Sequence, residues 1–83
     1  MDLLYFAWVR ERIGMGQEQV EPPAEVRSVA DLIGWLATRS PGHAEAMRAP
    51  ERLRAAIDQK FVPLDAPLGA AREVALFPPV TGG

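Results

Sequence analysis

The hydrophobic pattern of the first quarter of the chain predicts two strands joined by a short helical segment. Residues 3–9 form an apolar, aromatic-rich run of strand length, which indicates a central strand buried on both faces. Residues 10–13 favour a single helical turn that stops at Gly14. Residues 17–21 alternate weakly before Pro22-Pro23, a pattern typical of an edge strand returning beside the first.

The clearest helix of the sequence begins after Ser28. Ser28, with Asp31 three residues later, resembles a capping box, and residues 40–42 (Ser-Pro-Gly) should end the helix. One apolar stripe at helical spacing consists of Val29, Leu32, Ile33 and Leu36. Gly34 inside a helix costs about 1 kcal/mol relative to Ala, so we expect it to permit close packing against a sheet.

The second half of the chain contains three more strand-length runs. They cover residues 53–57, 61–62 and 73–77, with turn residues at 58–60 and 65–69. Several strands and one good helix pack most economically as an α+β fold, a mixed sheet covered by the helix on one face. If the first and last strands lie side by side and parallel in the middle, this fold is a β-grasp. The order of the elements alone leaves other α+β folds open.

Composition narrows the classes of function. The 83 residues make one domain, and 48% hydrophobic and 24% charged residues argue against disorder. A net charge of −2 argues against a nucleic-acid partner. No apolar run approaches the roughly 20 residues that span a bilayer, and no basic segment marks a signal peptide, so we expect no membrane association. Cysteine is absent, which excludes disulfides and zinc–cysteine sites and fits a reducing cytoplasm.

Candidate catalytic groups are few. His43 is the only histidine, and we interpret it as a solvated loop residue; Ser28 and Ser40 are interpreted as helix-end residues. The carboxylates interpreted as a solvated face are Glu11, Glu18, Glu21 and Glu25. The arginines that form at most a modest basic patch are Arg48, Arg52 and Arg54. We therefore predict no self-contained active site and no metal site.

The last six residues form the most informative segment. Pro78 and Pro79 fix φ and should hold residues 78–83 extended beyond a domain of residues 1–77. Gly82 and Gly83 have no side chains, so they make a tip thin enough to enter a narrow channel in another protein. The alternative interpretation of this segment is a frayed chain terminus.

This ending resembles that of the ubiquitin-like sulfur carriers, and most closely the small subunit of molybdopterin synthase, the MoaD family. The matching segment is Leu76-Phe77-Pro78-Pro79-Val80-Thr81-Gly82-Gly83. Weaker matches are Phe6-Ala7-x-Val9-Arg10-Glu11, Asp65-x-Pro67-Leu68 and Glu73-Val74-Ala75. The likeness is weakest from about Gly42 to Leu53, and Trp8 is bulky where the family pattern suggests a smaller or polar residue.

The resemblance implies a ubiquitin-like β-grasp and a two-stage cycle. An E1-like adenylyltransferase would use ATP and Mg²⁺ to adenylate Gly83, and a persulfide donor would then convert it to a thiocarboxylate. The resemblance implies a 2:2 heterotetramer with the large subunit of molybdopterin synthase. With its tail inserted in that subunit, the carrier would give its sulfur to cyclic pyranopterin monophosphate. The carrier itself would bind no cofactor.

The resemblance also implies a docking surface for these partners. It would consist of Phe6, Phe61 and Phe77 together with Pro78, Pro79, Val80 and Thr81 of the tail. Core packing is the alternative for the three phenylalanines, and for Phe6 the two interpretations carry equal weight.

Three alternative functions stay open at this point. One is a sulfur carrier of the same fold for thiazole synthesis or tRNA thiolation. Another is a ubiquitin-like modifier that conjugates through Gly83 to lysines. The third is a plain interaction domain, whose tail could be removed without effect.

Overall fold

The fold is built on a mixed five-stranded sheet, which a computed structural model describes within residues 1–79. The strands are β1 (Asp2–Tyr5), β2 (Gln17–Gln19), β3 (Arg54–Ile57), β4 (Lys60–Val62) and β5 (Glu73–Phe77). Their order across the sheet is β2-β1-β5-β3-β4. β1 and β5 are parallel in the centre, and the other neighbouring pairs are antiparallel. The central parallel pair distinguishes a β-grasp from the other α+β folds, so the predicted fold class is confirmed.

Three helices and a 3₁₀ turn accompany the sheet. They are α1 (Ala7–Ile13), α2 (Val29–Leu36), α3 (Pro41–Ala46) and the 3₁₀ turn Pro50–Arg52. The predicted apolar stripe of α2 is fully buried. The Ser28 hydroxyl caps α2 by accepting a hydrogen bond from the Asp31 N–H at 3.1 Å, while the Asp31 carboxylate accepts one from the N–H of Arg27. The cap is thus confirmed, with the return bond one residue earlier than in a standard capping box.

The prediction for residues 3–9 was wrong in its second half. The strand ends at Tyr5, and α1 begins at Ala7, which has a φ of 53° and turns the chain away from the sheet. The helix then runs to Ile13 and presents Val9 and Ile13, four residues apart, to the core. An apolar run of this length fits a buried strand or a short helix, and periodicity alone does not separate them.

The sheet has one covered and one open face. Strand side chains facing the helices and the core are Leu3, Tyr5, Ala55, Val74 and Leu76. Because side chains alternate along a strand, Leu4, Ala56 and Ala75 point to the opposite face. The prediction that the first strand is buried on both faces was therefore wrong, since Leu4 is only half-buried.

Two helical glycines have opposite surroundings. A Cβ built on Gly34 would meet nothing within 4 Å, so the expectation that Gly34 packs closely against the sheet was wrong. A Cβ on Gly42 would lie 2.6 Å from the backbone oxygen of Arg12 and 3.2 Å from that of Ile13. Gly42 therefore allows α3 to approach the last turn of α1, and it is the glycine on which helix packing depends.

The hairpin of β3 and β4 places Phe61 in the sheet. Asp58 and Gln59 form its two-residue loop, with φ values of 47° and 71°, which matches the twist of the flanking strands. The Asp58 carboxylate accepts hydrogen bonds from the N–H groups of Arg72 and Glu73, both at 3.0 Å. These bonds join the loop to the start of β5 and fix Phe61 opposite Ala56.

Candidate functional site

The open face of the sheet brings together the three phenylalanines singled out in the sequence. Paired positions on four strands form one row across this face, Leu4, Ala75, Ala56 and Phe61. Phe6 follows β1, and Phe77 ends β5. We call the surface formed by Leu4, Phe6, Ala56, Phe61, Ala75 and Phe77 the apolar sheet face.

The apolar sheet face is a shallow groove with aromatic walls. Its volume is about 480 Å³, and Gln59 and Glu73 complete its lining. Phe61 is 83% exposed and Phe6 is 49% exposed, so neither belongs to the core. The rings of Phe61 and Phe77 lie with centroids 5.6 Å apart at 49°, a tilted aromatic pair. Large apolar side chains exposed side by side are characteristic of a surface that another molecule covers.

The sequence did not identify the two alanines that form the floor of the groove. Ala56 and Ala75 are paired across β3 and β5, and their small side chains leave the space between the aromatic rings. The available signal was the alternation in β5, where Glu73, Ala75 and Phe77 share one face. Which face the helices cover could not be deduced from that alternation alone.

The chain leaves the sheet beside this face. Phe77 pairs with Arg54 at the end of β5, Pro78 is half-buried and Pro79 is exposed. Val80, Thr81, Gly82 and Gly83 lie outside the described residues. The roles assigned to them, and the boundary between a domain of residues 1–77 and a tail of residues 78–83, therefore stay predictions.

The interpretation of His43 as a solvated loop residue was wrong. His43 lies on α3 and is 4% exposed. Its Nε2 donates a hydrogen bond of 2.6 Å to the carboxylate of Glu18, and its Nδ1 lies 2.7 Å from the hydroxyl of Ser40. Because a carboxylate only accepts, Nε2 carries a proton. Ser40 also caps α3, so the prediction of a helix-end role for Ser40 is confirmed.

Glu18, also predicted to be solvated, is the centre of this buried cluster. Its side chain is 12% exposed and accepts a second hydrogen bond, 2.7 Å long, from the hydroxyl of Tyr5. Burial raises the pKa of Glu18, but the hydrogen bonds from His43 and Tyr5 and the nearby charge of Arg39 outweigh it, and the net pKa is lowered. Burial and the contact with Glu18 raise the pKa of Tyr5 above its ordinary range. The cluster ties α3 to the edge of the sheet.

This cluster does not form a hydrolytic site with the apolar sheet face. None of Tyr5, Glu18 or His43 lines the groove, and Tyr5 and His43 are buried. Within residues 1–79, no group of three or more His, Cys, Asp or Glu side chains is placed to hold a metal ion. No helix among these residues is both long and apolar enough to cross a bilayer. The described residues thus combine an exposed apolar sheet face with a separate, buried polar cluster.

Comparison with known proteins identifies several that this chain resembles. The model of the ThiS family matches residues 3–83. The molybdopterin synthase sulfur carrier subunit of Escherichia coli is 41% identical over 81 residues, covering 98% of this chain and 96% of the relative. The subunit of the same description from Haemophilus influenzae is 36% identical over 84 residues, covering 100% and 99%.

Two solved structures share the fold. One is a protein of Pyrococcus furiosus described as molybdopterin converting factor, subunit 1, with a TM-score of 0.73, 28% identity and coverage of 95% of both chains. The other is SAMP1 from Haloferax volcanii, with a TM-score of 0.70, 24% identity and coverage of 100% of this chain and 98% of that chain. The second likeness supports the fold alone.

Proposed function

The chain belongs to the ThiS family, and from that premise we propose that it serves as the sulfur carrier subunit of a molybdopterin synthase. The observation that carries this proposal is the 41% identity with the Escherichia coli carrier subunit along nearly the whole of both chains. The apolar sheet face, which includes Phe77 at the end of the last strand, agrees with it, because a carrier must dock on partners while presenting its end to their active sites.

The reactive group of this function is the carboxylate of Gly83. A carboxylate is a poor electrophile, so an adenylyltransferase related to ubiquitin activators joins it to AMP from ATP, with Mg²⁺ bound by that enzyme. The terminal sulfur of a persulfide donor then attacks the acyl-adenylate and releases AMP. A thiol cleaves the S–S bond of the resulting acyl disulfide and is itself oxidised to a disulfide, which leaves a thiocarboxylate, a soft nucleophile. The carrier donates this sulfur to cyclic pyranopterin monophosphate. Gly82 and Gly83 suit the step because they add no side chain to a tip that enters a partner's channel.

The docking partner in the transfer step is the large subunit of the synthase, in a 2:2 heterotetramer. We assign its contact to the apolar sheet face, with Phe6, Phe61 and Phe77 as anchors and residues 78–81 leading into the large subunit. Aromatic side chains gathered in the centre of an interface carry a large share of binding energy. The catalytic acids and bases belong to the large subunit, and the assembly is cytoplasmic.

Removal of Gly83 tests the proposal. The purified chain is incubated with the adenylyltransferase of its organism, ATP, Mg²⁺ and a sulfide source, and its mass is measured. We expect the wild type to exchange one oxygen for sulfur, and the variant lacking Gly83, like one with a residue added after it, to fold and remain unmodified. Molybdopterin formation by the truncated variant at the wild-type rate would contradict the proposal.

The same reaction separates the alternative functions. Adducts on other proteins in place of a thiocarboxylate would indicate a modifier. A thiocarboxylate that sustains thiazole synthesis or tRNA thiolation, but not molybdopterin synthesis, would indicate another carrier of the same fold. Unchanged molybdopterin formation without any tail would indicate a plain interaction domain.

A further inference from the structure

A second surface, beside the apolar sheet face, has no role in the proposed function. On it, the guanidinium of Arg12 lies 4.4 Å from the centroid of the Trp8 ring, and the guanidinium of Arg52 lies 5.8 Å from the same ring. Both distances fall within the range of cation–π contacts. Trp8 is half-buried and packs on the core, while both arginines are exposed. We call Trp8, Arg12 and Arg52 the arginine–tryptophan patch.

The fold places this patch at the end of the sheet from which the tail departs. α1 begins two residues after β1, next to the end of β5, where the Phe6 N–H donates to the Leu76 carbonyl at 3.3 Å. Arg52 ends the 3₁₀ turn two residues before Arg54, which is the partner of Phe77 in the sheet. A protein that contacts the end of β5 therefore lies close to the patch.

The two arginines lack a carboxylate partner among residues 1–79. Ion pairs in this part of the chain join Glu18 to Arg39 and His43, and Glu45 to Arg48. Glu11 and Glu51, which adjoin Arg12 and Arg52 in sequence, make none. Two like charges near one ring repel each other, and both arginine side chains are exposed. A carboxylate close to them would reduce this repulsion and accept hydrogen bonds from their guanidinium N–H groups.

Local helix structure explains only part of the patch. Arg12 follows Trp8 by four residues on α1, so that contact is a neighbour pair of the helix surface. Arg52 comes from a distant segment, and nothing in α1 requires it to lie over the same ring.

We propose that the arginine–tryptophan patch is a second contact with the synthase large subunit and binds an acidic side chain, Asp or Glu, on that subunit. The inference rests on the proposed function, because it takes the large subunit as the protein that receives the tail. The patch continues the docking surface past Phe77 and adds charge recognition to an otherwise apolar contact. Charge pairs at the rim of an interface chiefly govern partner choice and association rate.

Neutralising the patch tests the proposal. The double variant Arg12→Gln, Arg52→Gln is titrated calorimetrically with the large subunit of the same organism at low and at high salt. The control is Arg27→Gln, Arg72→Gln, which removes two exposed arginines outside the patch. We expect the patch variant to bind about tenfold more weakly at low salt, with a flatter salt dependence, and the control to bind like the wild type. Thermal unfolding confirms that both variants are folded.

The outcomes separate this inference from the proposed function. If the patch variant binds like the wild type while Phe61→Ala weakens binding, the second contact does not exist and the proposed function stands. If both double variants weaken binding equally, net charge explains the effect and the patch assignment is wrong. If the wild type does not bind the large subunit at all, the inference and the proposed function both fail.

Discussion

Phe61→Ala separates a docking role from a structural one more cleanly than any other change on the apolar sheet face. Because Phe61 is 83% exposed, truncation removes little buried area, and the main loss is its ring contact with Phe77. Such an aromatic pair contributes about 0.5–1.5 kcal/mol, so we expect the free energy of unfolding to fall by about 1 kcal/mol. A buried Phe would cost about 3–5 kcal/mol.

The effect of Phe61→Ala on binding should be larger than its effect on stability. An aromatic anchor at the centre of an interface contributes about 2–4 kcal/mol, so the dissociation constant for the large subunit should rise roughly 30- to 1000-fold. Calorimetric titration measures the affinity, and urea unfolding of the free carrier measures the stability.

Met15→Ala is the matched control for this experiment. Met15 is also a large exposed apolar residue, at 41% exposure, but it does not line the apolar sheet face. We expect Met15→Ala to leave the affinity for the large subunit unchanged. Wild-type affinity in Phe61→Ala would refute the assignment of the apolar sheet face, and an equal loss in Met15→Ala would show that the effect is not specific to it.

Three further predictions concern packing, pH and the tail. Gly42→Ala should lower the free energy of unfolding by about 1–3 kcal/mol, because its Cβ would overlap the Arg12 carbonyl. Gly34→Ala should raise the free energy of unfolding by about 0.5–1 kcal/mol, because its Cβ meets nothing and Ala favours the helix. Urea unfolding of the two variants measures whether the free energy changes in these opposite directions. The lowered pKa of Glu18 means that its ionised form stabilises the fold above its ordinary pKa of 4.5, and that this contribution is lost as the pH falls through the lowered value. Stability measured against pH should therefore fall less steeply below about pH 4.5 in Glu18→Gln, and an unchanged slope would contradict the role of the cluster. Gly82→Val should bind the large subunit normally but acquire no sulfur, which calorimetry and mass analysis measure separately; sulfur acquisition at the wild-type rate would show that a slim tip is not required.

Local pattern was enough for the elements whose stability comes from neighbouring residues. The apolar stripe of α2 repeats at helical spacing, and the cap at Ser28 involves residues only three positions apart. The sequence alone therefore located both. Strand β5 could be bounded at Glu73–Phe77 because prolines follow it directly. The likeness of the last eight residues to the sulfur carriers also came from the sequence, since a motif of consecutive residues needs no tertiary contact to be recognised.

Only the tertiary structure decided which side chains are covered. Whether Phe6 is a core or a surface residue depended on where the chain turns into α1, and alternation along a strand does not say which face the helices cover. The burial of His43 depends on Glu18, 25 residues away in sequence. Both looked like solvated residues because each is polar, and their partnership appears only when α3 packs beside the edge of the sheet. A charged group can be buried only next to a partner that compensates it, and two residues far apart in the sequence give no sign that they will meet in the fold.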